Sequence, residues 1–515
     1  MCIESIAKRR KKEGEKEFVQ DVIKQTNASE FLICLFLFDL FAYFLLSVVS
    51  FTFDSMKLFL SVAISLLVIF ISCKKDSFIT SGDARVNVTS DTLKYDTLFV
   101  TTGSTYRSFK IINANNQKLR LSSIKLFGGT SSVYKISVDG VSGIQFNNLE
   151  IEANDSVYVF AQVNVNPSAA NLPFILRDSI EITYNGKRKI VQLEAWGQNA
   201  HFFRDKVITA SETWNNDLPY VILGSLFIQT NQTLTVNKGC RIYVHADAPI
   251  VVDGTLLVNG LKDTADRVYF SGDRLDEPYK NYPASWPGIF FRANSKDNVF
   301  NYVVIKNSFQ AVALQNLPSN ANPKIILNEC IIDNAYDAGI ISLNSSVRAR
   351  NCLISNCGKN LYLAQGDYQF THCTVVTYAS SFIDHKDPVL TVTNFANNTS
   401  LATDALFRNC IFWGENGIVK DEVVAIKNGA GSFNITFDYN LWKVETAPAN
   451  ITSNQIINNQ NPSFDSINTS KNYYNFRLKT GSQAINKGVN AGVTIDLDGK
   501  PRPVAAPDLG CYEKQ

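Results

Sequence analysis

The sequence predicts an all-β chain in which a small β-sandwich precedes a parallel β-helix, and three observations carry that expectation. One short phrase recurs six times between residues 303 and 440, its central period is near 22 residues, and long helical periodicity is missing. The phrase is plainest around four cysteines: Leu327-Asn328-Glu329-Cys330-Ile331-Ile332-Asp333-Asn334, Ala349-Arg350-Asn351-Cys352-Leu353-Ile354-Ser355-Asn356, Phe370-Thr371-His372-Cys373-Thr374-Val375 and Phe407-Arg408-Asn409-Cys410-Ile411-Phe412. Diverged copies centre on Val303 and Asn440. The central intervals are 22 and 21 residues, and the outer ones of 27, 37 and 30 indicate inserted loops. A second run follows each copy, as in Ala338-Gly339-Ile340-Ile341, and a third is readable at Lys324-Ile325-Ile326-Leu327. Three short strands and three turns per repeat describe one coil of a solenoid, with coils stacked about 4.8 Å apart.

In such a stack equivalent residues form columns. Val303, Cys330, Cys352, Cys373, Cys410 and Asn440 are expected to point inward, as are Ile305, Ile332, Ile354, Val375 and Phe412. Asn307, Asn334 and Asn356 are expected to form an amide ladder at a corner. No Cys-x-x-Cys pair or interleaved His favours a metal site, and in-register side chains point the same way, which disfavours disulfides. Small buried thiols filling a column are the expectation.

Only two methionines occur, and Met56 opens a secretion signal: Met56-Lys57, an apolar stretch over 58–70, then Ile71-Ser72-Cys73 followed by Lys74-Lys75-Asp76. A small residue before a cysteine after a short apolar stretch resembles the bacterial lipoprotein signal, which implies that Cys73 is lipidated and begins the mature chain. Residues 1–55 hold the basic cluster Lys8-Arg9-Arg10-Lys11-Lys12 and an apolar segment over 31–53 of transmembrane type, broken only by Asp39. That segment places a complete signal in mid-chain, so translation is expected to start at Met56. Residues 73–84 then read as a linker.

Composition excludes some function classes. A net charge of +2, with no Lys/Arg stripe after residue 76, offers no bulk attraction to nucleic acid. From Cys73 onward there are eight cysteines; lipid on the first leaves an odd number, so a complete disulfide framework is excluded.

Over 85–198 alternating runs recur, among them Arg107-Ser108-Phe109-Lys110-Ile111-Ile112, Val157-Tyr158-Val159-Phe160-Ala161 and Ser179-Ile180-Glu181-Ile182, punctuated by turns such as Asn185-Gly186. Roughly seven to nine such strands read as an immunoglobulin-like sandwich. The solenoid is assigned to 199–469. Its opening coils lie at 234–244 and 250–258, where Gly239 and Gly254 are expected at corners needing positive φ.

The C-terminal stretch 470–515 carries a family resemblance. Gly481-Ser482-Gln483-Ala484-Ile485-Asn486-Lys487-Gly488, Asp496-Leu497-Asp498-Gly499, Pro501-Arg502-Pro503 and Pro507-Asp508-Leu509-Gly510-Cys511 resemble the tail of choice-of-anchor Q proteins. These are exported bacterial right-handed β-helix proteins of the pectate-lyase-like superfamily. Cys511 and Asn486 depart from the Ala and Asp that the pattern favours. The resemblance implies a right-handed parallel β-helix and export, and no defined activity. Asp496-Leu497-Asp498-Gly499 resembles half of a calcium loop but lacks its later ligands, so calcium is weighed against a structural turn.

For chemistry, Tyr302, Glu329, Asn351, His372, Asn409 and Tyr439 read as one outward column and Arg350 and Arg408 belong to its neighbour. Glu329, Arg350, His372 and Arg408 are therefore the candidate catalytic ridge, although no paired-carboxylate column of the glycosidase kind appears. Tyr302, Tyr439 and Trp413, with Asp384 and His385 of the insertion at 382–388, are candidate substrate contacts. The expected function is a monomeric, lipid-anchored module of the bacterial outer membrane that binds glycan or matrix or serves structurally; the alternative is a polysaccharide lyase or glycoside hydrolase. Neither a metal nor another cofactor is required. Intact mass of the native protein is expected to reveal no peptide from residues 1–55, and any such peptide refutes initiation at Met56.

Overall fold

In the computed structural model the described residues are 77–99, 106–164 and 174–514; they are strand and turn, with three short 3-10 turns and no α-helix. No helix among them is long and apolar enough to cross a membrane. The signal at 56–72, Cys73 and the apolar segment 31–53 lie outside the described residues.

The N-terminal part is two five-stranded sheets. One holds Val86–Val88, Arg107–Asn113, Ser156–Val163, Tyr134–Val138 and Val141–Gly143; the other holds Thr92–Phe99, Lys187–Gln198, Phe174–Tyr184, Leu119–Leu126 and Gln145–Ile151. The period-two pattern of the sequence becomes alternating burial, so that Phe109, Ile111, Leu121, Ile124, Val159, Ile182 and Leu193 close one shared core without a disulfide.

From His201 the chain enters a 26-stranded sheet in which every pairing is parallel. Strands pair with the equivalent strand one coil on, giving three faces. The first runs through Ile250–Val252, Trp286–Phe291 and Ser308–Gln315; the second through Asn298–Asn301, Ile325–Asn328 and Thr403–Arg408. The third runs through Val303–Lys306, Ile331–Asp333, Leu353–Ser355, Thr374–Tyr378 and Ile411–Glu415. This is a parallel β-helix pattern, and the recurring phrase spans the corner before the third face, that face, and the corner after it.

The interior columns are as the repeat predicts. Val303, Cys330, Cys352, Cys373, Cys410 and Asn440 are all buried, together with Ile305, Ile332, Ile354, Val375 and Phe412. The thiols also have a bonding role. Cys330, Cys352, Cys373 and Cys410 each place Sγ 3.5–3.7 Å from a carbonyl of the preceding coil, at Phe300, Leu327, Ala349 and Phe370. Asn440 does the same with its amide, donating to Phe407 O at 2.9 Å. The column therefore selects a small buried donor, which is why an amide can replace a thiol. Beside it, Phe370, Phe407 and Phe437 stack at 5.6 and 4.8 Å.

Gly239 has φ +79°, as its corner demands, whereas Gly254 is not left-handed. Gly254 is needed for close approach instead: a Cβ there would lie 2.2 Å from Gln232 O.

After the last coil, Phe464–Asn468 and Tyr473–Leu478 form an antiparallel hairpin. The chain to residue 514 then folds back over the third face, where Leu497, Leu509, Cys511 and Tyr512 pack on Val376, Ile411, Trp413 and Leu441.

Cys240, Cys330, Cys352, Cys357, Cys373, Cys410 and Cys511 are all free and buried, and burial pushes the Cys240 and Cys511 thiols up to about 11 and about 12. Peptide mapping after thiol alkylation should find these seven unmodified in the native protein and all modified after unfolding; native labelling at Cys352 or Cys373 contradicts the buried column.

Candidate functional site

The corners on either side of the third face use the same backbone trick. Before it, Tyr302, Glu329, Asn351, His372, Asn409 and Tyr439 have φ between +48° and +56°; after it, Asn307, Asn334 and Asn356 have φ between +52° and +61°. A left-handed residue turns the chain sharply, and Asn tolerates that region best.

The first corner corrects the expected catalytic ridge. Alternation reads its column as outward, but the left-handed turn breaks the alternation and the C-terminal tail seals it. Glu329, Asn351, His372 and Asn409 are at most 3% exposed. Asn351 donates to Glu329 at 3.0 Å and to Ile495 O at 2.8 Å, and accepts from Arg502 at 3.0 Å. Asn409 donates to Val489 O at 2.7 Å and to His372 Nε2 at 2.9 Å. His372 Nδ1 therefore carries the ring proton and donates to Asp508 O at 3.1 Å. Burial, then the nearby Arg502, lowers His372 to about 2, so this ring is a neutral strut. Arg350 pairs with Glu329 at 3.4 Å and Arg408 with Asp438 at 2.8 Å, leaving no free cationic ridge.

The expected substrate contacts also change. Trp413 is 4% exposed beneath the tail. Tyr439 packs against the same cluster and Tyr302 lies under Arg267. In the insertion, Asp384 is exposed and paired with Lys386 at 2.6 Å, but His385 is buried against Glu422 at 2.8 Å and anchors the loop. Asp496 is a structural turn: its carboxylate accepts from the backbone of Asp498, Lys500 and Glu513. Among the described residues no group of three or more His, Cys, Asp or Glu is placed to hold a metal.

A different place has the geometry of a binding site. Beside the second corner lies a cleft of about 300 Å³ on the outer side of the third face. Its floor carries Lys306 and Asp333, 3.3 Å apart on successive coils, and Ser355 fixes Asp333 at 2.7 Å. Two long corner loops border it, one through Lys280 and Asn281 and the other through Ser380 and Phe382, and Tyr282 packs on Phe382 at 4.8 Å. The amide ladder holds the first loop down: Asn307 donates to Lys280 O at 2.7 Å, while Asn334 donates to Asn281 O at 3.0 Å and to Asn307 at 2.7 Å. Asn356 leaves the ladder and accepts from Tyr378 N. The tail supplies Asn472 and Tyr474 to the wall. The Tyr474 hydroxyl is buried without a hydrogen-bond partner among the described residues, and burial, then Asp333, raises its pKa. An aromatic ring beside an ammonium and a carboxylate, as at Phe382, Lys306 and Asp333, is the mixed apolar and polar surface that a polyol ligand requires.

Sequence reasoning found the Phe382 insertion but missed Tyr282, Lys306 and Tyr474. The available signal was that both long loops, 273–285 and 379–389, interrupt the same corner of the repeat.

No family model matches the chain, and no curated protein matches it. Solved structures do match, three of them as follows. A family 123 glycoside hydrolase from Clostridium perfringens is 13% identical over 24% of this chain and 30% of its own, with a TM-score of 0.17. The seventh PapD-like domain of human CEP192 is 10% identical over 25% of this chain and 92% of its own, with a TM-score of 0.16. The alkylpurine DNA glycosylase AlkC of Pseudomonas fluorescens is 12% identical over 23% and 31%, with a TM-score of 0.15. The chain thus spans under a third of the first of these, and at such TM-scores none informs function.

His372 gives a pH prediction. Its pKa is depressed on folding, so below the ordinary imidazole range the unfolded chain binds the extra proton, and stability falls as pH falls through about 6.5, by about 1.4 kcal/mol per pH unit. Glu513, raised to about 7 mainly by burial, works oppositely: the folded state takes its proton first, and that contribution grows as pH falls from about 7 to about 4.5. The difference between wild type and His372→Gln isolates the first effect. Thermal melts from pH 7 to 5 should show the variant losing less stability than wild type; parallel curves contradict a neutral His372.

Proposed function

We propose that this protein is an exported, lipid-anchored component of the bacterial outer membrane that binds glycan in the cleft lined by Phe382 and Tyr474. The observation that carries this reading is the cleft itself: the Phe382 and Tyr474 side chains line it around the Lys306–Asp333 pair. The lipoprotein-type signal ending at Cys73 and the choice-of-anchor Q-like tail support export and a right-handed β-helix. In this reading the two-sheet unit is an immunoglobulin-like spacer that lifts the solenoid from the membrane. The lyase or hydrolase alternative rested on Glu329, Arg350, His372 and Arg408; the first and third are buried under the tail, and the arginines are paired.

Purified full chain in detergent, run through gels containing single polysaccharides, is expected to be retarded by at least one polymer without new reducing ends or unsaturated-uronate absorbance. Phe382→Ala should weaken that retardation about tenfold, roughly the worth of one aromatic contact. Cleavage products would overturn the binding reading, and retardation unchanged in Phe382→Ala would remove it from the cleft.

A further inference from the structure

The first face carries a feature that neither the cleft nor the sealed corner uses. Eight parallel pairings, each one coil further on, link Val207 to Val424 in a single column. Its direction follows from its neighbours. Leu226 and Ile228 flank Phe227, Ile289 and Phe291 flank Phe290, and Ile340 and Ser342 flank Ile341, all at most 1% exposed and so inward. The residues between them therefore point outward. They are only partly buried, Val207 at the start is 41% exposed, and no member belongs to a hydrophobic cluster of the described residues. Every member is uncharged. In the outward column beside it, Leu343 and Ile426 continue the apolar surface, the latter 48% exposed. The charges there, Asp253 and Arg292, are paired with each other, and the Arg292 guanidinium lies over the Phe227 ring at 5.1 Å.

The third face has an outward apolar column too, and the molecule covers it: Leu353, Ile411 and Leu441 share a cluster with Leu497 and Leu509 of the tail. Among the described residues nothing packs on the first face in that way. A stripe crossing nine coils is about 38 Å long at about 4.8 Å per step, and a four-residue strand makes it about 13 Å wide. That is a footprint of about 500 Å² on one chain, or about 1,000 Å² when two chains share it, which just reaches the size of a specific interface.

The stripe is also complementary to itself when reversed. Ala313 stands at its middle, with four coils on either side. A two-fold axis along the strands at Ala313 sets Phe227 against Thr391, Val251 against Tyr362 and Phe290 against Ile341. Large meets small in the first two pairs, as interdigitating sheets require. The same axis sets Arg292 against Leu343. Alignment of the two chains in the same direction would instead set Arg292 on Arg292 and Asp253 on Asp253, like charge on like.

We infer that two copies of this chain pair through the first face, antiparallel about Ala313, as two sheets packed about 10 Å apart. The monomer expected from the sequence gives way to a reversible pair, because about 1,000 Å² is too little for an obligate one. The cleft lies on the third face, so this pairing is independent of the glycan reading.

Sedimentation equilibrium of the full chain in density-matched detergent, over a micromolar concentration series, tests the pairing. Expected is a monomer–dimer equilibrium that Ala313→Glu weakens about a hundredfold, because two new carboxylates meet at the axis. Thr235→Glu, outward on the second face, should leave it unchanged. Continued protection of the seven buried thiols from alkylation confirms that both variants fold. Cross-linking with a short bismaleimide reads the direction, with wild type as the control for the chain's own thiols. Ala313→Cys should be joined to its own copy. Val251→Cys, about 19 Å from itself across the pair, should not be, but should join Tyr362→Cys in a mixture. A wild type that stays monomeric throughout, or a dimer indifferent to Ala313→Glu, overturns the inference. Equal weakening by Thr235→Glu moves the interface off the first face and overturns it as well. Joining of Val251→Cys to itself overturns the antiparallel arrangement.

Discussion

The buried guanidinium of Arg502 ties the tail to the solenoid, and the rest of the molecule is arranged around that tie. It donates to Glu513 at 2.8 Å, to Asn351 at 3.0 Å, to Gly510 O at 2.9 Å and to Ile495 O at 3.2 Å. Those partners come from two stretches of tail, at 495 and 510–513, and one left-handed corner. A buried charge is tolerated only when its donors are used in this way, and removing one partner leaves the other costly to bury. The corner needs the tie as much as the tail does. Left-handed residues at six coils leave polar side chains and backbone groups facing outward in a row, and the tail supplies their partners through Val489 O, Ile495 O and Asp508 O.

The sealed corner and the proposed binding cleft lie on the two sides of one face. Before the third face, the polar residues are consumed internally. After it, Asn307 and Asn334 of the Asn ladder spend their amides on the backbone of the 280–281 loop. A loop fixed at its base by a rigid stack holds Tyr282 against Phe382, and His385 buried against Glu422 fixes the facing loop. For the proposed glycan site, coils carrying two anchored loops would lower the ordering cost of binding.

The column of Cys330, Cys352, Cys373, Cys410 and Asn440 shows how a repeat tolerates substitution. What each coil requires is a small inward donor aimed at the carbonyl three residues before the equivalent position on the previous coil. Thiol and amide both satisfy it, so the repeat stays recognisable through Cys410 and is structurally unbroken at Asn440. The same reasoning explains why these thiols are not a metal centre: each Sγ is aimed at a carbonyl and sits among apolar side chains.

The sequence by itself determined the solenoid, its three runs per coil, its inward columns and the alternating strands of the two-sheet unit. These follow from local periodicity: burial with period two and a repeat near 22 residues are properties of contiguous stretches. It did not determine which polar columns face solvent. Glu329 and His372 read as outward because extended backbone alternates, but their positive φ ends the alternation and a segment more than a hundred residues downstream covers them. Nor did it place Phe382, Lys306 and Tyr474 around one cleft, since their proximity depends on coil stacking and on the return of the tail. Tertiary structure decided those points because exposure and convergence are set by contacts between distant segments, to which no local pattern is sensitive.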